Sequence, residues 1–264
     1  MVAGGALWAD PINKYLYSFG GEQTSAQIPL TDGLETFDAI YYPSNHTEIP
    51  WHIRRVAWGA SATATERGEG YYLGGWINNQ TSVSLLRSQM TSGLVKFDMC
   101  KKTFSNMTGP DANGRGEGSM VFIPAGDAGM LVYFGGLLDP YLNGTMIGSP
   151  MDTIFIFDIG SGQWYSQTAT GDIPEMRRRF CAGVSWTTDH SSYNVYVFGG
   201  LGAPPNGIGF DDLYILSLPS FQWIKWWEST GPAGKPRHSL TCSVINKGQV
   251  HESHALIIIS VLKL

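Results

Sequence analysis

Histidines, cysteines, paired acids and Asn-x-Thr triplets are the residues that could do chemistry in this 264-residue chain. The histidines are His46, His52, His190, His238, His251 and His254. His251-x-x-His254 has a spacing that suits a metal on a helix, but no third ligand accompanies it. His238 follows Arg237 and reads as a structural strand residue. Cys100, Cys181 and Cys242 form no Cys-x-x-Cys pair, so zinc and dithiol motifs have no support. Their odd number leaves two readings, a partner outside the chain or a free buried thiol. Asp211-Asp212 could serve glycoside chemistry, but an isolated acid pair reads better as a loop or strand-edge feature. Gly114-Arg115-Gly116-Glu117-Gly118 lacks the lysine and helix of a phosphate loop, and no Gly-x-Ser-x-Gly elbow occurs. No catalytic, cofactor or metal residue is therefore assigned. What remains is modification: Asn45, Asn79, Asn106 and Asn143 each begin an Asn-x-Thr sequon. All four map to expected loops, where a glycan fits, and Asn79 and Asn143 are expected to be the most accessible because they follow strand ends.

The elements that must position these residues are set by a repeat. An apolar β-type run ends in a glycine doublet four times: Gly20-Gly21, Gly74-Gly75, Gly135-Gly136 and Gly199-Gly200. The first glycines lie 54, 61 and 64 residues apart. A period of this length signals a radial array of small sheets. Arg55, Arg115 and Arg179 precede a doublet by 19, 20 and 20 residues. After each doublet a second strand closes on Phe37-Asp38, Phe97-Asp98 or Phe157-Asp158, with Leu216-Ser217 in the fourth unit. An aromatic follows at Phe104, Trp164 and Trp223, and Trp51 is expected to take that place in the first unit. Each unit can make a four-stranded antiparallel sheet whose faces are buried only by stacking on its neighbours. The glycines allow positive φ and close backbone approach, and the late aromatic fills the wedge between sheets.

Arginine, a strand ending in Gly-Gly, a strand ending near an acid, then tryptophan: this order resembles the kelch motif over about residues 1–249. Stretches such as Ser149-Pro150-Met151-Asp152-Thr153 and Asp211-Asp212-Leu213-Tyr214 resemble secreted fungal kelch-repeat proteins, related in fold to the galactose-oxidase propeller. The resemblance implies an all-β propeller of six or seven blades when intact, acting mainly as a binding or cell-surface module. Galactose-oxidase-like enzymes use tyrosine and histidine copper ligands, including an adjacent Tyr-His pair, which this chain lacks.

The expected organisation is about four blades, 1–52, 53–112, 113–174 and 175–232, with a partial fifth at 233–249. Residues 250–264 hold no glycine doublet and are expected to lie outside the repeat, leaving an incomplete ring. The first unit's arginine would fall at about position one, so the chain is expected to begin within a blade, without a signal peptide. The net charge of −5 offers no footprint for nucleic acid, and no apolar run approaches a membrane span. Arg177-Arg178-Arg179 reads as a solvated turn or an inter-blade hydrogen-bonding site. Trp226-Trp227 and Tyr41-Tyr42 are adjacent aromatics whose rings point to opposite faces of a strand; packing between blades is the favoured reading, and the other is that one of each pair is exposed near a loop and could anchor a ligand. The expected function is a non-catalytic scaffold that binds a protein or glycan, from an extracellular or cell-surface glycoprotein without a cofactor. The alternative is a fragment of a propeller enzyme, a copper-radical oxidase relative or a small-molecule lyase, with its catalytic groups elsewhere.

Overall fold

The computed structural model describes residues 2–23, 33–41, 44–81, 88–205, 207–228, 237–239, 242–245, 249–252 and 259–260. Tyr42, Lys235, Pro236 and His254 to Ile257 lie outside them. Among the described residues the chain is all β, with a single short 3-10 turn at Thr65–Arg67 and no α-helix. It divides into two units, Met1–Gly116 with Leu138–Met146, and Glu117–Leu137 with Ile147–Leu264.

The first unit holds two antiparallel four-stranded sheets. One runs Val2–Asp10, Tyr15–Gln23, Gly33–Asp38, Ser44–Glu48, in sequence order. The other runs Ala60–Ala64, Glu69–Leu73, Leu94–Asp98, Thr103–Met107. In the second unit one sheet is Ser119–Ile123, Met130–Phe134, Thr153–Asp158, Gln163–Thr168. The next is Cys181–Trp186, Tyr193–Phe198, Leu213–Leu218, Gln222–Trp227, extended by Thr170–Gly171 in parallel with the last strand. Cys242–Ile245, Gln249–Glu252 and Ile259–Ser260 form a further antiparallel sheet, which draws part of the 250–264 stretch into pairing.

Local chemistry explains the turns. The aspartate that closes each Phe-Asp strand accepts backbone N–H bonds from the turn that follows: Asp38 from Ile40 and Tyr41, Asp98 from Cys100 and Lys101, Asp158 from Gly160. This is an Asx turn, which needs a short acceptor side chain at that place. All eight doublet glycines have positive φ. At Gly20 and Gly74 space as well as φ demands glycine, because a Cβ would run into the carbonyl oxygens of Val56 and Arg115.

The second glycine of each doublet donates its N–H to the opening of the following repeat. The pairs are Gly21 to Val56 O (2.7 Å), Gly75 to Arg115 O (2.8 Å), Gly136 to Arg177 O (2.9 Å) and Gly200 to Arg237 O (2.7 Å). Two residues beyond each acceptor stand Trp58, Glu117, Arg179 and Ser239, all left-handed with φ of 59°, 60°, 53° and 58°. This register corrects the expected arginine series. Among the described residues the buried arginines are Arg55, Arg115 and Arg177. Arg179 sits two places later, in the left-handed bend, where its side chain is partly exposed.

The wedge aromatics also differ from expectation at one place. Trp223 is fully buried, with Nε1 donating to Met151 O at 2.9 Å, and Phe104 packs on Phe97 at 4.7 Å. Trp164 is half-buried against Phe157 at 5.1 Å. Trp51 is 93% exposed. It lies in the turn after Pro50, closed by Ile53 N–H to Pro50 O, and there Ile53 points inward while Trp51 points out. The first unit fills its core with Trp8 instead, stacked between Phe19 at 5.3 Å and Phe97 at 5.8 Å. Gly70 makes room for that indole, since a Cβ there would strike the Trp8 ring.

Candidate functional site

Charge is gathered at two nodes of the second unit. Arg177, completely buried, donates from Nη1 to Asp212 Oδ1 at 2.6 Å and to Gly199 O at 3.1 Å. Its guanidinium carbon lies 4.3 Å from the Phe210 ring centre and 5.1 Å from that of Tyr214. Asp212 of the Asp211-Asp212 pair is thus an ion-pair partner. Glu117, also buried, accepts from Arg178 Nη1 at 2.6 Å and from Arg179 Nε and Nη2 at 2.8 Å. Burial works to raise the Glu117 pKa, but the hydrogen bonds and charges of Arg179 and Arg178 outweigh it and hold the carboxyl below its usual 4.5. The three consecutive arginines are therefore a hydrogen-bonding site and not a solvated turn.

The depressed Glu117 pKa carries a sign. Its contribution to stability is complete above the usual pKa of about 4.5 and disappears as pH falls through the lower folded value. Glu117→Gln is expected to cost about 2–3 kcal/mol at pH 7, below the range for a fully buried pair because both arginines keep access to water. Urea unfolding of wild type and variant should converge as pH is lowered from 5 toward 3. A gap that persists at low pH contradicts this account.

Large apolar side chains stand in solvent at several points. Tyr41 is 78% exposed in the turn after Asp38, with Trp51 further along the first unit. In the second unit Trp226 and Trp227 are 64% and 48% exposed. Strand alternation predicts only one of them outside. A bulge decides otherwise: Leu213 pairs with Trp227 and Tyr214 with Lys225, so Trp226 has no cross-strand partner and alternation is broken.

The first unit also contains a cavity of about 890 Å³. Gln89, Thr91, Ser92, Asn106, Thr108 and Asp111 line it with amide, hydroxyl and carboxylate groups. Val95 and Met107 supply accessible apolar surface, Ile77 and Met90 are almost wholly buried, and His52 and Arg54 also line it. Burial works to raise the Asp111 pKa, and the ion pair with buried Arg115 overcomes it, so this carboxylate stays charged at neutral pH. Amides, hydroxyls and small apolar faces together suit a hydroxylated, largely neutral ligand. The sequence showed none of this, because the lining comes from separate stretches of the chain.

The four sequon asparagines are all exposed. Asn79 and Asn143 lie in turns, as expected. Asn45 and Asn106 lie instead within strands, Ser44–Glu48 and Thr103–Met107, each the last of its sheet with one open edge. Cys181 and Cys242 are joined in a disulfide with Cα atoms 5.4 Å apart, and Cys100 is exposed. His46 pairs with Glu35 at 2.7 Å, and His238 lies 3.2 Å from the Ser239 hydroxyl. Among the described residues no three of His, Cys, Asp or Glu are grouped to hold a metal. No described helix is long and apolar enough to cross a membrane.

Comparison with known proteins agrees with the architecture. No protein-family model matches the chain. A "Kelch repeat-containing protein" of Arthroderma benhamiae is 30% identical over an alignment of 289 residues, covering 93% of this chain. The chain spans 42% of that relative's length. The solved structure of YjhT matches with a TM-score of 0.65 at 14% identity, covering 96% of this chain and 71% of the other. The first comparison bears out the resemblance to kelch-repeat proteins, and the second bears out the fold.

Proposed function

Proceeding from a chain of kelch-repeat type, we propose that it is a non-catalytic binding module of a secreted or cell-surface glycoprotein. Its ligand is a protein or a glycan, held by aromatic side chains that the sheets present to solvent. The observation that carries this reading is the exposure of Tyr41, Trp51, Trp226 and Trp227. A rigid scaffold that holds large rings in water leaves apolar area for a partner to cover, and tryptophan and tyrosine are the usual anchors of such contacts. The Cys181–Cys242 disulfide supports an oxidising compartment, and the exposed sequons support glycosylation.

The test uses the secreted protein on an array of glycans and extracellular proteins. Wild type is expected to bind at least one class. Trp226→Ala combined with Trp227→Ala should weaken that binding by about 30-fold, the effect of losing roughly 2 kcal/mol of hot-spot contact, without moving the melting temperature. Trp51→Ala probes the first unit in the same way. Unchanged binding by all variants, or metal-dependent oxidation of alcohols or sugars by the intact protein, would overturn the proposal.

A further inference from the structure

We infer that the cavity of the first unit is a seat for the first sugars of an N-glycan carried on Asn106. This rests on the glycoprotein reading above. Asn106-Met107-Thr108 is the sequon whose acceptor asparagine and threonine both line the cavity. Asn143 is next to one lining residue, Leu142, but is not itself among the described lining residues, and neither are Asn45 and Asn79.

Orientation supports the seat. Asn106 pairs with Val95 across the sheet and lies two residues from Phe104, so all three share one face. Phe104 and Val95 pack against the buried core on that face, and Val95 is itself part of the cavity wall. The Asn106 amide therefore points along the indented face while remaining accessible. Gly93 leaves space beside it, because a Cβ there would stand 3.2 Å from Asn106 Oδ1.

The lining matches the occupant. Gln89, Thr91 and Ser92 can exchange hydrogen bonds with sugar hydroxyls and the acetamido group, while Val95 and Met107, which keep accessible surface, can meet the C–H face of a pyranose. A volume of about 890 Å³ has room for more than one such ring with water. Attachment forms a bond from Asn106 Nδ2 to the anomeric carbon of a lipid-diphosphate-linked oligosaccharide. The amide loses one proton and the lipid diphosphate leaves. A glycan seated in this way is a structural part of the second sheet, not a free surface chain.

The experiment is site-resolved mass spectrometry of protein secreted from a glycosylating eukaryotic host, digested with a peptide N-glycosidase before and after denaturation. Asn106 should be occupied and released at least about tenfold more slowly than Asn45 and Asn79 in the native protein, with the difference gone after denaturation. Asn106→Gln and Thr108→Ala should both lower the melting temperature, while Thr108→Ser, which keeps the sequon and the hydroxyl, should not. If those variants fail to fold, the release rates on wild type decide alone. An unmodified Asn106 beside glycosylated neighbours, or equal native release at all sites, overturns the seat. Absence of glycan at every sequon overturns the glycoprotein reading, and the seat falls with it.

Discussion

Replacing Arg177 with alanine is expected to lower the stability of the second unit by about 3–5 kcal/mol, the range for breaking a buried ion pair from one side. The guanidinium has no exposed surface and satisfies the Asp212 carboxylate and the Gly199 carbonyl together. Its removal leaves Asp212, only 15% exposed, without its cation, and empties the space between the Phe210 and Tyr214 rings. Arg177→Lys should recover only part of the loss. A lysine keeps the charge but cannot reach both acceptors with a planar fork. Arg179→Ala is the informative control and should cost less, because Arg179 keeps access to water and Glu117 retains Arg178. Urea unfolding followed by tryptophan fluorescence gives the comparison. Equal losses at the two arginines would contradict the assignment of Arg177 as the repeat arginine.

Loss of the Cys181–Cys242 bridge is expected to have the next largest effect. The half-cystines are 61 residues apart and join the first strand of one sheet to the first strand of the next. Closing a loop of that length in the unfolded chain corresponds to about 4 kcal/mol in the chain-entropy description, and native bridges usually deliver roughly 2–4 kcal/mol. The measurement is best made with Cys100 replaced by serine, since that exposed thiol can otherwise exchange with the bridge. Cys181→Ala with Cys242→Ala should lower the unfolding midpoint by this amount. Amide exchange should rise first in Cys242–Ile245 and Gln249–Glu252, which pair mainly with each other. The third strand of this sheet is only two residues long, and small sheets are marginal by themselves. A melting curve unchanged by reduction would show that the bridge does not stabilise this sheet.

The sequence by itself determined the all-β architecture, the kelch-type repeat, the positive-φ doublets and the Asx turns after Phe-Asp. Each of these is written in residue type over a few positions: only glycine suits those backbone angles together with a carbonyl at its Cβ position, and a short carboxylate caps a tight turn. The tertiary structure alone decided which of several eligible residues fills each shared place. Constant spacing favoured Arg179, but the Gly136 N–H meets the carbonyl of Arg177, and the offset is absorbed in the bend at Arg179. Trp51 has the right type for a wedge, yet Trp8 occupies the core, because packing depends on which strand the neighbouring sheet covers. The left-handed series Trp58, Glu117, Arg179 and Ser239 shares no residue type, so it is invisible to any pattern of letters. Trp226 and Trp227 both reach solvent through a bulge that exists only in the pairing with Leu213 and Tyr214. The disulfide and the Asn106 cavity likewise join residues far apart in the chain. Local backbone preferences act over a few residues and can be read from them, whereas burial, ion pairing and cavity shape arise only when distant strands meet.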